Sequence, residues 1–221
     1  MIDCALQRTN MVESQIRPSD VTDRRILRAM AALPREHFVP PSLATLAYMD
    51  ESISLYDAGY RGPARRMLSP RTLAKLIQLA QVESTDRVLD VGAGRGYGAA
   101  VLARLASKVV ALESDMDLAA TATTALEHDK NVTVLPGALQ TTAPTQGPFD
   151  VIVLEGAVFA PPTGLLQQLK PGGRLVAVLN EDGVGRATVW LRQGDTFGQS
   201  TAFEAAITPL PGYERAAAFT F

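Results

Sequence analysis

Residues 87–113 read Arg-Val-Leu-Asp-Val-Gly-Ala-Gly-Arg-Gly-Tyr-Gly-Ala-Ala-Val-Leu-Ala-Arg-Leu-Ala-Ser-Lys-Val-Val-Ala-Leu-Glu. The order is a strand, a glycine-rich turn, a helix and a second strand that stops at an acid. No other stretch constrains the fold as strongly, because two strands joined through a helix run parallel in one sheet with a right-handed crossover. The glycines let the backbone approach a ligand closely and leave N–H groups free where the helix starts. An acid at the end of the second strand, Glu113, can accept both hydroxyls of a ribose. The combination points to a ligand of the nucleotide type.

Two such ligands compete. Gly94-Arg-Gly96-Tyr-Gly98-Ala99 fits the dinucleotide pattern G-x-G-x-x-A, with Glu113 about the right distance on. The alternative is S-adenosylmethionine, held through Asp90-x-Gly92-x-Gly94-x-Gly96. Asp90 sits at the carboxyl end of its strand, beside the turn. A carboxylate there repels a pyrophosphate but suits the amino cation of a methionine moiety, so the spacing favours S-adenosylmethionine. A glycine turn with no ligand is the bland reading, and the acids at both expected positions speak against it. The cofactor residues predicted on this basis are Asp90, Gly92, Ala93, Gly94, Gly96 and Glu113.

The rest of the chain extends the alternation. Ser69-Pro70 makes a helix start, serine as N-cap and proline at the first helical position. Strands are predicted at 87–91, 109–113, 132–135, 149–154 and 174–179, with helices at 96–106, 115–128 and 161–169. Such alternation implies a doubly wound, mostly parallel sheet covered on both faces. After Gly183 the pattern changes to 187–191, 203–207 and 216–221, which read as antiparallel edge strands. Residues 1–68 are not βαβ-like. A helix is expected from Cys4 to Ile16, ending before Pro18, and a second one, capped by Asp20 or Thr22, carries Ile26, Leu27, Met30 and Leu33 on one face. Residues 49–68 form a long irregular stretch, which in a compact domain is usually functional. The expected organisation is one domain: a helical and loop extension over 1–68, a cofactor-binding core over 69–182 and closing strands over 183–221.

Composition removes several functions. The chain has 221 residues, 47% hydrophobic and 20% charged, and a net charge of −2, so no electrostatic capture of nucleic acid or of an acidic membrane is expected. One cysteine, Cys4, excludes an intramolecular disulfide and a cysteine-based metal cluster. The two histidines, His37 and His128, lack metal-ligand spacing. No apolar run is long enough to span a bilayer. The expected compartment is the cytoplasm, and no metal is expected.

At this point the chain resembles the protein-L-isoaspartate O-methyltransferase family across nearly its full length. The resemblance runs through Met11-Val-Glu-Ser-Gln-Ile, Asp23-Arg-Arg-Ile-Leu-Arg-Ala-Met, Pro34-Arg-Glu-His-Phe-Val-Pro and Ala47-Tyr-Met-Asp. It continues through residues 88–103, Pro148-Phe-Asp-Val-Ile-Val and Gln168-Leu-Lys-Pro-Gly-Gly-Arg-Leu-Val. The family fold is Rossmann-like. The implied activity is methylation of the free carboxylate of an isoaspartyl residue in a damaged protein or peptide, starting its repair, with S-adenosylhomocysteine as coproduct. Such an acceptor has a pKa of ~4 and is already ionised at neutral pH, so no catalytic base is expected and none is assigned.

The departures cluster around the acceptor. The family carries Thr-Ile-Ser-Gln-Pro before the first core helix, and here the segment reads Arg66-Met67-Leu68-Ser69-Pro70. Leu68 stands for the family serine and Arg66 for the threonine, so Arg66, Leu68 and Ser69 are the candidate substrate residues. Arg65 and Arg66 are either a solvated loop pair or, through Arg66, a grip on an anionic acceptor. Ser69 reads first as a helix cap. The family's Gly-Asp near the adenine is Gly137-Ala138 here, and its Thr-Ala-Ala run is Glu155-Gly156-Ala157. Gly137, Ala138 and Glu155 complete the predicted cofactor set. Tyr56 and Tyr60 are either lid aromatics or loop packing.

Overall fold

The structure, a computed structural model, describes residues 3–62, 64–140 and 146–214. Two helices begin the chain, α1 (Cys4–Met11) and α2 (Arg24–Ala32). The first is shorter than the pattern predicts: beyond Met11 the coil widens into a π-type turn over Val12–Ile16 and then tightens at Arg17–Ser19, around Pro18. Helix α2 is capped by Asp23, whose Oδ1 accepts from the Arg25 N–H at 2.8 Å. Asp20 instead takes the left-handed conformation that reverses the chain, φ 64°, so neither it nor Thr22 is the cap.

The irregular stretch contains a small hairpin, β1 (Ile53–Ser54) with β2 (Arg66–Met67). Helix α3 (Pro70–Ala80) follows, with Ser69 Oγ accepting from the Thr72 N–H at 3.3 Å, the cap the sequence predicts. The alternating core is β3 (Arg87–Val91), α4 (Tyr97–Ala103), β4 (Lys108–Glu113), α5 (Met116–Ala125), β5 (Val132–Pro136), β6 (Phe149–Val158), α6 (Thr163–Leu166) and β7 (Leu169–Glu181). Helix α6 is only one turn, because β7 starts earlier than expected. Its Pro-Gly-Gly segment is absorbed as a break in register between Phe149↔Leu169 and Val151↔Arg174. Strands β8 (Val184–Gln193) and β9 (Thr196–Glu204) close the edge in the expected antiparallel sense, but β9 starts directly after the tight Gly194-Asp195 turn, which sends the chain straight back along β8, so it meets the expected 203–207 only at Phe203 and Glu204. The strand expected at 216–221 lies outside the described residues.

The seven strands are ordered β5-β4-β3-β6-β7-β8-β9. Those from β5 to β7 are parallel, and β8 and β9 are antiparallel. Strand order reverses at β3, which pairs with β4 on one side and β6 on the other. Open α/β sheets bind ligands at the carboxyl ends of the strands beside such a reversal.

Alternation along the strands sorts the core into two layers. Leu89, Val91, Val110, Leu112, Ile152 and Leu154 pack on one face. Val88, Val109, Ala111, Val151 and Val153 pack on the other, together with the amino-terminal helices and α3. By the same two-residue period, Asp90, Glu113 and Glu155 share the second face.

Candidate functional site

Asp90 pairs across the sheet with Ala111 of β4 and Val153 of β6. Glu113 and Glu155 each lie two residues farther along those neighbouring strands. Three acids therefore stand together at the carboxyl ends of three adjacent strands, at the strand-order reversal. All are buried: Asp90 and Glu113 are 0% exposed and Glu155 7%. Strand β6 makes room for Glu155 with a register shift between Val153 and Ala157. Bulges of this kind commonly re-aim a side chain beside a site.

The turn between β3 and α4 wraps this cluster. Gly92 and Gly94 have φ of 79° and 57°, a conformation in which a side chain is strained. Gly96 precedes α4 as its N-cap. The Gly92 and Ala93 amides donate to Leu112 O at 2.9 and 3.2 Å, which fixes the turn against β4. Gly137 and Ala138 follow β5, and the Gly137 amide donates to Glu113 O at 2.9 Å. Asp90, Gly92, Ala93, Gly94, Glu113 and Glu155 thus border one place, with Gly137 tied to the end of β4, whereas Gly96 faces Leu126 and Ala122.

The acids differ sharply in their partners. Glu113 is saturated. Its Oε1 accepts from Arg65 Nη1 at 2.7 Å, the Ser114 amide at 2.7 Å and the Asp115 amide at 2.9 Å. Its Oε2 accepts from Arg65 Nη2 at 2.8 Å and from the Gly94 amide at 2.7 Å. Neither oxygen of Asp90 has a partner among the described residues, nor does Glu155 Oε1. Burial pushes the Asp90 carboxyl up to about 7; the neighbouring Glu155 carboxyl works against that rise, and the Glu113 charge adds to it. Glu155 is also raised, first by burial and then by the Asp90 charge, with Arg35 and Arg65 opposing. Protonation of either carboxyl would relieve the repulsion between the two.

Arg35, which the sequence reading did not single out, is fully buried on this face. Its Nε donates to Ala47 O at 2.7 Å and its Nη2 to Leu68 O at 2.6 Å, with the guanidinium 4.6 Å from the Tyr97 ring centroid. It ties the amino-terminal extension to the segment that carries the candidate acceptor residues. Leu68 is 2% exposed and packs in the core. Ser69 is occupied as the α3 cap. Arg66 is exposed, and its guanidinium bonds to the side chain and carbonyl of Ser52.

Arg65 does not belong to a solvated pair. It is 5% exposed, forks onto Glu113, and also donates to Gly92 O at 3.1 Å. Two leucines complete the filling. A Cβ built on Gly94 would lie 2.7 Å from Leu55, and one on Gly92 would lie 2.6 Å from Leu210. The cavity bordered by Arg65, Leu68, Glu155 and Leu210 holds about 10 Å³, against ~300–1,000 Å³ for small-molecule sites. Tyr56 Oη donates to Asp115 Oδ2 at 2.6 Å and its ring stacks on Tyr60 at 3.6 Å. Among the described residues, no three His, Cys, Asp or Glu side chains group as metal ligands would, and no helix is long and apolar enough to cross a membrane.

The fold and the acid-lined glycine turn define a Rossmann-like α/β protein of the methyltransferase class. The chain superposes on a protein-L-isoaspartate O-methyltransferase with a TM-score of 0.79 and 24% identity, over 96% of this chain and 67% of that one. It superposes on a Plasmodium falciparum protein, solved in complex with S-adenosyl-L-homocysteine, with a TM-score of 0.76 and 19% identity, over 92% and 97%. In sequence, it is 34% identical to a protein-L-isoaspartate O-methyltransferase of Koribacter versatilis over 94% of this chain and 92% of the relative. The profile of the protein-L-isoaspartate(D-aspartate) O-methyltransferase family matches residues 6–213, and the chain belongs to that family.

Proposed function

We propose that this chain is an S-adenosylmethionine-dependent carboxyl methyltransferase of the isoaspartyl type, acting on a protein or peptide in the cytoplasm. One observation carries the cofactor: Asp90 is a buried carboxylate whose two oxygens lack partners among the described residues, directly beside the glycine turn. Such a group asks for a cation, and the amino group of S-adenosylmethionine supplies one. Glu113, two residues beyond the level of Asp90 on β4, has the chemistry to accept ribose hydroxyls. The donor set therefore fits the cofactor. The space between the donors, as disposed here, is taken by Arg65, Leu55 and Leu210.

When bound, S-adenosylmethionine supplies an electrophilic sulfonium methyl group. What remains for the protein is positioning and the exclusion of water, since an ionised carboxylate needs no base. Asp90 would hold the amino cation by charge, with Glu155 as the neighbouring carboxyl. Gly92, Gly94 and Gly96 put no side chains of their own between the backbone and a ligand, and Gly137–Ala138 would border the adenine side. On the acceptor side, Arg66 is an exposed cation beside Leu68 and Ser69, bonded to Ser52 and without an acid partner among the described residues. Leu68 offers a wall where the family has a hydroxyl, which favours a second reading with an acceptor other than an isoaspartyl peptide.

The test is transfer of a tritiated methyl group to an isoaspartyl peptide, beside the same peptide with ordinary aspartate. Labelling of the isoaspartyl form alone supports the proposal. Cofactor binding without transfer to either peptide supports the second reading.

A further inference from the structure

Glu113 accepts five hydrogen bonds of 2.9 Å or shorter and a sixth from Ser114 Oγ at 3.4 Å, and has no capacity left for a ribose. Its two charge-assisted bonds come from one guanidinium in the forked arrangement that matches a carboxylate. A ribose diol would need those same positions. Ligand and Arg65 therefore exclude each other at Glu113.

Arg65 does not act alone. The Leu55 amide donates to Arg65 O at 3.0 Å, and Ile53 and Ser54 pair with Met67 and Arg66. Leu55 and Arg65 are thus joined in one hairpin. Leu55 lies over Gly94 while Arg65 lies on Glu113, so a single segment fills both the glycine cradle and the ribose acceptor. The hairpin is fastened to the cradle side by Arg95 Nη1 to Leu55 O at 3.1 Å and by Tyr56 to Asp115 at 2.6 Å. Its tip is in water, with residues 57–62 exposed. A two-residue ladder and a handful of side chains hold it, against the multi-strand ladder beneath. Such a segment belongs to the part of a fold that opens locally.

We infer that Arg65 is the residue that sets cofactor access: it is a built-in occupant of the ribose acceptor, and S-adenosylmethionine enters only as the Ile53–Met67 hairpin lifts Arg65 and Leu55 together. This rests on the function proposed above. The observed affinity is then the intrinsic affinity multiplied by the fraction of open molecules. Removing the guanidinium raises that fraction. It leaves Glu113 with its three amide donors, from Gly94, Ser114 and Asp115, so the acid stays where the ribose needs it.

The experiment is calorimetric titration of the full chain with S-adenosylhomocysteine. The natural chain, Arg65→Ala, Arg65→Met and Leu55→Ala are compared. The expected result is weak binding to the natural chain, and binding tighter by roughly tenfold or more in the Arg65 variants. Leu55→Ala, which leaves the ion pair intact, tightens binding to a smaller degree and keeps the test open if removal of Arg65 impairs folding. A merely structural role for Arg65 predicts the opposite sign, because a loosened site binds less well. Binding to the natural chain that is unchanged or weakened by all three substitutions overturns the inference and leaves the cofactor assignment standing. No binding to any of the four proteins overturns both.

Discussion

The guanidinium of Arg65 forks onto the carboxylate of Glu113 at 2.7 and 2.8 Å, across 48 residues of chain and with both groups buried. The pair joins the amino-terminal extension to the end of β4, at the place where the fold would hold a ribose. Its two halves are unequal. Glu113 keeps three amide donors without Arg65, whereas the Arg65 side chain without Glu113 keeps, among the described residues, only the Gly92 carbonyl.

That inequality sets the first prediction. Removing one member of a buried pair costs about 3–5 kcal/mol, mostly through the charge left behind. Glu113→Ala should lie at or above that range, and Arg65→Ala clearly below it. Urea unfolding of the two variants measures this. Equal losses would mean that the amide donors do not stabilise Glu113 alone.

The carboxyl pair at the centre of the site sets the pH behaviour. Asp90 is raised from 3.8 to about 7 when folded, by burial first. A raised acid binds more protons folded than unfolded, so its stabilising effect is present below about pH 4 and is lost as pH rises to about 7. Asp90→Asn removes this loss. The variant should gain on the natural chain by on the order of 1–2 kcal/mol between pH 5 and pH 8, while S-adenosylhomocysteine binding weakens. Chemical denaturation at several pH values checks the first part and calorimetry the second. A difference independent of pH would contradict the assignment.

Much of this arrangement is legible in the residues. The strand–turn–helix–strand order of 87–113, with acids at Asp90 and Glu113, places the site at the strand-order reversal, and hydrophobic periodicity locates six of the seven strands of the main sheet; the seventh, β9, covers Thr196–Glu204 instead of the expected 203–207. What the pattern misses is long-range. Arg65 beside Arg66 has the look of a solvated loop, and nothing local says that one of the two turns inward to an acid 48 residues away. Leu55 and Leu210 read as ordinary apolar residues, and only the folded chain brings both over the glycine turn. Arg35 is similarly hidden, since a charged residue in Pro34-Arg-Glu-His carries no mark of complete burial. The lengths of α6 and β7 differ from expectation because Pro171-Gly172-Gly173 is taken into a strand irregularity instead of ending a helix.

The acceptor side separates by its stability cost. Arg66 is exposed and, among the described residues, its side chain bonds only to Ser52, so Arg66→Ala should change unfolding by no more than about 0.5 kcal/mol and leave S-adenosylhomocysteine affinity unaltered. Methyl transfer should fall by about tenfold or more, the scale of losing a positioning contact. Unchanged transfer would remove Arg66 from the acceptor site.

Leu68 behaves in the reverse way. It is 2% exposed in the core, and Leu68→Ser should cost about 2–4 kcal/mol. At a temperature where the variant stays folded, isoaspartyl transfer should rise, because the family hydroxyl is restored. A loss of stability with no rise in transfer would show that the segment serves a different acceptor.

The most direct test of the whole account is a crystal structure of the natural chain grown with saturating S-adenosylhomocysteine. The account predicts the ribose hydroxyls on Glu113, the amino group on Asp90, and Arg65 displaced from both Glu113 and Gly92 with Leu55 moved off Gly94. Arg65 still forked onto Glu113 at full ligand saturation, with the ligand absent or bound elsewhere, would contradict it.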